Sequence, residues 1–417
     1  MPLSLGVSLA VFAVIAAREW LPGFLKIWHV MVAGAAVLLL STEISPAEAM
    51  DDIDWNIIAY LFGVFSIGRA LFDNGLSQRI AVRMVGLGSR RRLLLAFVAV
   101  FALISAVLTN DAAAIIGTPI ALALAGRIGA DPRIMLVVLC ATVTVGSVAT
   151  PIGNPQNLLI AASGDVPEPV LTFLAWLIVP TLLGLAVVFI WFAGRLGGAA
   201  SSTGPAVAET VLEEAGGPLW PVALAVGLLV VLVVGESVLA VVAPGLGYPL
   251  GAAAVLAALP VYLFAPTRWR TLARLDWPTL AFFIAMFIVT GALLRSGALQ
   301  SVLGSALAVM TEPAATAAFS LIGSQVVSNV PFVDIYLKLL PSAEVDNLMM
   351  LAAVSTLAGN AFIISAASNV IVLQMAERLG GPEIHFWAFA RLVVPVGLIT
   401  TGVAVVWILG LSALLPG

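Results

Sequence analysis

The chain has 417 residues, 62% of them hydrophobic and 10% charged, with a formal net charge of -4, whereas soluble domains carry about 25% charged residues. That composition excludes an ordinary soluble enzyme. The 37 Gly and 24 Pro lie between long apolar runs rather than in repeats, which excludes disorder and collagen-like structure.

The runs have about the length that crosses a hydrocarbon core of roughly 30 Å as a helix, so the sequence predicts an all-α integral membrane protein. Met1 to Ala17 has no basic n-region and is followed by Arg18, so it reads as a short first span rather than a signal peptide. Further helices are expected over 24–41 and 55–72. Glu43, Glu48, Asp51, Asp52 and Asp54 fill the loop before the third run, while Arg79, Arg83, Arg90, Arg91 and Arg92 crowd the loop after it. The positive-inside rule makes the arginine loop cytoplasmic and the location a cell (inner) membrane.

The next two runs, 91–108 and 112–126, are separated only by Thr109-Asn110-Asp111. They read as a re-entrant hairpin with both basic ends in the cytoplasm and a polar tip near the midplane, where irregular backbone is tolerated only in protein or around water. Spans follow over 134–162, 170–194, 219–242, 247–265 and 277–294. A second hairpin, 313–327 and 330–341, turns at Ser328-Asn329 and enters from outside, with Glu312, Glu344 and Asp346 near its ends. The last runs are 347–377 and 386–414. This scheme has about ten transmembrane helices plus two re-entrant hairpins. It puts Arg18, Lys26, Arg79, Arg83, Arg90, Arg91, Arg92, Arg127, Arg133, Arg195, Arg268, Arg270, Arg274 and Arg378 inside, Arg295 and Lys338 outside, and Arg69 and Arg391 within spans.

The halves resemble one another. Asp54-Trp55 opens a span that ends near Asn74-Gly75-Leu76, and Asp276-Trp277 opens one that ends near Ser296-Gly297-Ala298. A hairpin follows each, with Asn110 in one tip and Asn329 in the other, then a run broken in its middle, then a span containing Pro180 or Pro395. Five crossings per unit turn the second unit upside down, which is the inverted-repeat plan of secondary transporters. The expected division is a first repeat over 1–194, a cytoplasmic linker over 195–218 and a second repeat over 219–417. Within these, scaffold parts cover about 1–88 and 219–310, and transport parts about 89–194 and 311–417.

In the first broken run Pro151 and Pro155 remove two backbone donors and Gly153 loosens the chain. Each unmet peptide group in hydrocarbon costs several kcal/mol, so four breaks at matched positions point to a polar cavity. An isolated Asn ordinarily caps a helix or packs between helices; the set at four matched breaks reads as a substrate and ion site. Its residues are Thr109, Asn110, Asp111, Thr150, Gly153, Asn154 and Asn157 in the first half. In the second they are Ser328, Asn329, Gly359, Asn360, Ser365, Ser368 and Asn369.

The tip LTNDAAAIIGTPI, the break ATPIGNPQNL, the second tip VVSNVP and the late GN...SAASN segment resemble the ion-transporter superfamily, which includes the divalent anion:sodium symporters and the arsenite efflux pumps. The resemblance runs from Asp54 onward. It implies a homodimer of two-domain protomers working by an elevator-type movement, with hairpins and broken helices in the mobile part. Thr109-Asn110 matches the first Ser-Asn-Thr-like tip, Ser328-Asn329 the second, and Gly153 to Asn157 the first broken-helix segment. Asp111 and Val330 depart from the pattern, standing where the carboxylate symporters carry Thr.

Asp111 is the most informative residue, because an acid at the midplane is a functional candidate by default; it could exchange a proton in each cycle, or else cap the helix from Ala112. Asp334 and Lys338, four apart, are expected to pair. His29, His385 and Cys140 fall in no motif, so neither a catalytic group nor a metal site is expected. Cys140 is the only cysteine, so no intramolecular disulfide can form. With Asp111 and no Arg or Lys in the breaks, the sequence favours a small inorganic oxyacid or anion, with arsenite or antimonite efflux against protons as the first specific expectation. Sodium-coupled symport of a carboxylate or sulfate, and cation/proton antiport, remain alternatives. No cofactor beyond H⁺ or Na⁺ as coupling ion is expected, and the partners are a small solute and the bilayer, with no nucleic acid.

Overall fold

The structure, a computed structural model, describes residues 3–17, 25–196, 217–243, 246–304, 309–340, 343–360 and 366–414. Among these there is helix and no strand. The first half contains α1 (Leu3–Ala16), α2 (Ile27–Leu40), α3 (Pro46–Asp52), α4 (Trp55–Asp73), α5 (Leu76–Val85), α6 (Arg90–Val107), α7 (Asn110–Ile128), α8 (Pro132–Gly146), a 3₁₀ turn (Ser147–Ala149), α9 (Pro155–Ala162) and α10 (Pro169–Ala193). The second repeats that order: α11 (Trp220–Val242), α12 (Leu250–Phe264), α13 (Arg268–Ala273), α14 (Trp277–Arg295), α15 (Ala298–Leu303), α16 (Pro313–Val327), α17 (Asn329–Leu339), α18 (Val345–Leu357), a 3₁₀ turn (Ala358–Asn360), α19 (Ala367–Arg378) and α20 (Phe386–Ser412).

Local chemistry explains the matched boundaries. Asp54 accepts from the Asn56 and Ile57 amides at 3.0 and 3.1 Å, and Asp276 accepts from Thr279 N at 3.2 Å, so each Asp-Trp pair is a cap followed by the first helical residue. Both helices end before a left-handed glycine, Gly75 at φ 80° and Gly297 at φ 65°, from which α5 and α15 start.

Among the described residues seven helices are long and apolar enough to cross a membrane: α4, α7, α8 with its 3₁₀ turn, α10, α11, α14 and α20. The sequence scheme also counts the shorter apolar helices α1, α2 and α12. The runs 134–162 and 347–377, expected to be broken in their middles, are interrupted at 147–154 in the first and by the 3₁₀ turn Ala358–Asn360 in the second. The scheme assigns no helix to α3, α5, α13 or α15, which are too short and too polar to stand out from loops. The linker expected at 195–218 lies almost wholly outside the described residues.

The two hairpins are antiparallel helix pairs. A Cβ on Gly129 would stand 3.5 Å from Arg90 Nη2, so α7 ends where α6 begins, on the arginine-rich side. In the second hairpin Thr316 Oγ1 and Tyr336 OH are 2.8 Å apart, which brings the far ends of α16 and α17 together. They meet on the opposite, acidic side: Asp334 of α17 accepts from Thr290 Oγ1 of α14 at 2.5 Å, and α14 ends at Arg295, which is bound to Asp52.

Packing follows the same exchange of halves. α4 packs on α12 and α14 on α2; α7 packs on α19 and α17 on α9; α6 packs on α8 and α16 on α18; and α10 packs on α20. Trp407 Nε1 donates to Trp176 O at 2.9 Å across this last pair, and Pro180 and Pro395 lie within its continuous helices.

Candidate functional site

The first tip is formed by Thr109, whose extended backbone precedes α7 and whose Oγ1 accepts from Ala112 N at 3.2 Å. The capping role that Asp111 might have held therefore belongs to Thr109. Asp111 sits in the first turn, 5% exposed. Its amide donates to Asn110 Oδ1 at 3.0 Å, and its own Oδ1 has no partner. Among the described residues no Lys or Arg forms an ion pair with it. The neighbouring Ala112 abuts α4, where a Cβ on Gly68 would come within 2.8 Å of Ala112 Cβ.

From this tip Asn110 N donates to Gly153 O at 2.8 Å, which ties the hairpin to the first break. There the asparagines stand in for the missing helical bonds. Asn154 Oδ1 caps α9 by accepting from Asn157 N at 2.8 Å, while its Nδ2 donates to Ser147 Oγ at 3.1 Å. Asn157 Nδ2 reaches the carbonyls of Ser147, Val148 and Thr150 at 3.2, 3.3 and 3.0 Å. Thr150 Oγ1 donates to Ala106 O of α6 at 2.6 Å.

Thr356 of α18 joins the halves. It accepts from Asn154 Nδ2 and Gln156 Nε2, each at 3.3 Å, and donates to Asn157 Oδ1 at 3.4 Å. One turn later Gly359 O accepts from Asn369 Nδ2 at 3.0 Å, and a Cβ on Gly359 would lie 3.1 Å from Asn329 Nδ2 of the second tip. Ser328, which precedes Asn329, holds a positive φ of 80°, a strained conformation for a residue with a Cβ. Thr356 thus binds Asn154 and Asn157 of the first break, which Gly153 joins to the Asn110 tip, while Asn329, Gly359 and Asn369 meet one turn further along the same chain. Ser365 lies outside the described residues.

The halves differ in how far this cluster is satisfied. In the first, the Asn154 and Asn157 side chains are engaged at both ends. In the second, Asn329 Oδ1, Asn360 Oδ1 and Nδ2, Ser368 Oγ and Asn369 Oδ1 are buried without partners among the described residues, and an unmet buried group costs about 1–3 kcal/mol. Thr356, Gln156 and Ser147 lie inside the broken segments read from the sequence but are not among the site residues expected there. Hydroxyls within regular apolar helix give no periodic signal of their own.

Several other charges are paired among the described residues. Lys338 Nζ lies 2.9 Å from Asp334 Oδ2, as their spacing predicted. Arg69, expected within a span, makes a two-pronged contact with Asp73 at 3.1 and 2.8 Å. On the acidic side Arg295 binds Asp52, whose carboxyl is raised above the ordinary range by burial, with Arg295 opposing the shift. Glu48, capping α3, is held below its ordinary value by the Ser45 amide and hydroxyl. Cys140 is buried and free, and no metal-binding group of His, Cys, Asp and Glu occurs among the described residues.

Residues 10–347 match the family described as CitMHS, citrate transporter. The chain is 27% identical to an uncharacterized transporter of Mycobacterium tuberculosis over 391 residues, 87% of this chain and 88% of that one. It is 29% identical to the inner membrane protein YbiR of Escherichia coli over 333 residues, 78% of this chain and 81% of YbiR. A silicon efflux transporter of Oryza sativa is 31% identical over 156 residues, 37% of this chain and 32% of that one. Among solved structures the YdaH transporter of Alcanivorax borkumensis has a TM-score of 0.53 at 16% identity, covering 91% of this chain and 90% of YdaH, a likeness of fold.

Proposed function

Because the chain belongs to the CitMHS citrate transporter family, and is a secondary transporter of the membrane, we propose that it carries a small inorganic oxyacid or anion with proton coupling, arsenite or antimonite efflux being the first substrate to test. The observation that carries this reading is the pairing of a buried Asp111 with a second-half cluster of neutral Asn and Ser groups, the one without an ion-pair partner and the others without hydrogen-bond partners among the described residues. A neutral oxyacid donates and accepts through its hydroxyls, which suits amide and hydroxyl ends at once. A dianion would meet Asp111 with no positive side chain to offset it. The relative named for silicon efflux supports including silicic acid among the solutes tried.

In this reading the hairpins re-enter the membrane from opposite faces. The hairpins, the broken helices and α10 with α20 form the mobile part, and α1, α2, α4, α11, α12 and α14 form the scaffold. The protein works as a homodimer in the cell (inner) membrane, with repeats over 1–194 and 219–417. Asp111 takes up a proton in one orientation and releases it in the other.

A second reading rests on the same orphaned oxygens. Asn329 Oδ1, Asn360 Oδ1 and Asn369 Oδ1 are hard, neutral ligands, so Na⁺ held there could bring in a carboxylate, as the family's description suggests. Flux of arsenite, silicic acid, sulfate and citrate into proteoliposomes under imposed proton or sodium gradients separates the two. Proton coupling should vanish in Asp111→Asn while solute exchange persists. Coupling unchanged in that variant refutes the proton role, and uptake driven only by sodium selects the second reading.

A further inference from the structure

The two halves carry matching surface helices of opposite charge. Each lies just before an Asp-Trp pair, α3 before Asp54-Trp55 and α13 before Asp276-Trp277. In each the indole donates back to the surface helix, Trp55 Nε1 to Met50 O at 3.3 Å and Trp277 Nε1 to Leu272 O at 3.1 Å. Aligned on those pairs, Ala49 and Ile53 correspond to Thr271 and Leu275, all four buried, whereas Glu48 and Asp52 correspond to Arg270 and Arg274. The ion pair that ties each helix down is exchanged in the same sense. Arg295, the last residue of α14, lies 4.0 Å from Glu48 of α3. Its counterpart Asp73, the last residue of α4, lies 3.9 Å from Arg270 of α13.

The balance of charge is not exchanged. On the acidic side Arg295 also binds Asp52, so two surface carboxylates share one cation. On the arginine-rich side Asp73 has no exposed side-chain surface and is already held by both prongs of Arg69 and by Arg270. Arg268 and Arg274 are exposed and form no ion pair among the described residues. Between them Trp269, standing where α3 has Ala47, is 70% exposed. Asn74 Nδ2 donates to Thr267 Oγ1 at 2.9 Å, which with the Arg270 contact holds α13 against the end of α4. The rings at the adjoining helix ends are exposed as well: Phe264 closing α12, Trp277 opening α14, and Trp220 opening α11 with its centroid 5.5 Å from that of Phe264. Exposed tryptophans at the ends of apolar helices mark the level of the lipid headgroups, so α13 lies at that level.

We propose that α13 is a docking surface for anionic phospholipid in the leaflet on the arginine-rich side, with Arg268 and Arg274 binding headgroup phosphates and Trp269 lying along the glycerol and upper acyl chains. The guanidinium fork matches phosphate oxygens, and an indole has an apolar body with one polar edge. A soluble anion would account for the arginines but not for the large exposed ring between them. The mirror helix is the internal control: α3, with Glu48, Asp51 and Asp52 and no aromatic residue, repels the same lipid. The assignment depends on neither the solute carried nor the coupling ion.

The test is lipid retention by the full-length protein, delipidated in detergent and offered phosphatidylglycerol and phosphatidylcholine in equal amounts, with bound lipids counted by native mass spectrometry. The parent should prefer phosphatidylglycerol, and Arg268→Gln with Arg274→Gln should weaken that preference at least about tenfold, each cation near an anionic surface contributing about fivefold. Arg83→Gln with Arg92→Gln removes two exposed arginines of the same face outside α13 and should preserve it. Equal loss in both double variants shows general attraction to a basic face and overturns the site. So does an unchanged preference in the α13 variant, or displacement of the lipid by an equal concentration of inorganic phosphate. A preference that emerges only after Glu209→Gln, Glu213→Gln and Glu214→Gln together assigns the arginines to the chain's own acidic segment and refutes the lipid. In nanodiscs, the fluorescence lost between parent and Trp269→Phe should be quenched more by brominated phosphatidylglycerol than by brominated phosphatidylcholine, and equal quenching refutes the assignment without any arginine variant. Neither readout involves transport, so an unchanged proton coupling in Asp111→Asn would leave this proposal standing.

Discussion

Gly153→Ala tests whether the first break is held by a close backbone approach. An added Cβ would fall on the Ser147 carbonyl, with Ser147 Cα and carbonyl carbon both 2.8 Å away. No flexible side chain is there to yield, so the 150–154 segment must move by roughly 1 Å, an overpacking cost of about 1–3 kcal/mol. Because Gly153 O also accepts from Asn110 N at 2.8 Å, the displacement strands a buried amide at the hairpin tip, adding about 1–3 kcal/mol. A loss of about 2–6 kcal/mol should lower the melting temperature by about 2–7 °C, at roughly 1 °C per kcal/mol for 417 residues. Solute flux should fall at least about tenfold, because the tip is set by this contact and binding geometry is sensitive to shifts of about 1 Å. Thermal unfolding in detergent and proteoliposome flux give both values. A variant that melts within about 1 °C of the parent, inside the range of a neutral surface change, and transports normally would refute the view that Gly153 couples break to tip.

Asn157→Leu removes the donor shared by the carbonyls of Ser147, Val148 and Thr150, and a destabilisation of about 3–5 kcal/mol is expected from calorimetry or thermal shift. Lys338→Met leaves Asp334, 3% exposed, with only the Thr290 hydroxyl; since the ammonium is 34% exposed, the usual penalty for a broken buried pair shrinks to about 1–3 kcal/mol. Adding Asp334→Asn should recover most of it, and a double variant no more stable than the single one would contradict the pairing argument. Asp52 has a raised folded-state value, so its ionisation opposes folding: the cost is absent below the ordinary Asp range, grows as pH rises through it and is complete above the raised value. Arg295→Met removes the opposing charge and enlarges that cost, so the melting temperature should fall more steeply as pH rises above the ordinary Asp value of about 4 than in the parent; parallel pH profiles would show that Arg295 does not control Asp52.

The sequence by itself determined the solvent and the plan. Apolar runs with few charges belong in a bilayer, the placement of arginines against acids distinguishes the two faces, and Pro151, Gly153 and Pro155 cannot continue a helix, because each acts through bonded geometry that neighbours do not alter. Asp54 with Gly75 and Asp276 with Gly297 marked the repeated unit for the same local reason, one as a cap and the other as a left-handed turn. Tertiary structure alone decided which polar groups meet. Thr356 joins the breaks because α18 runs beside α9, and nothing in its own segment distinguishes it from a hydroxyl bonded within its helix. The inequality of the halves is likewise a property of the fold. Ser105 and Ser324 occupy equivalent places before the tip asparagines, yet one finds a carbonyl across the helix pair and the other finds none among the described residues, because satisfaction depends on the position of a second helix to within a fraction of an ångström.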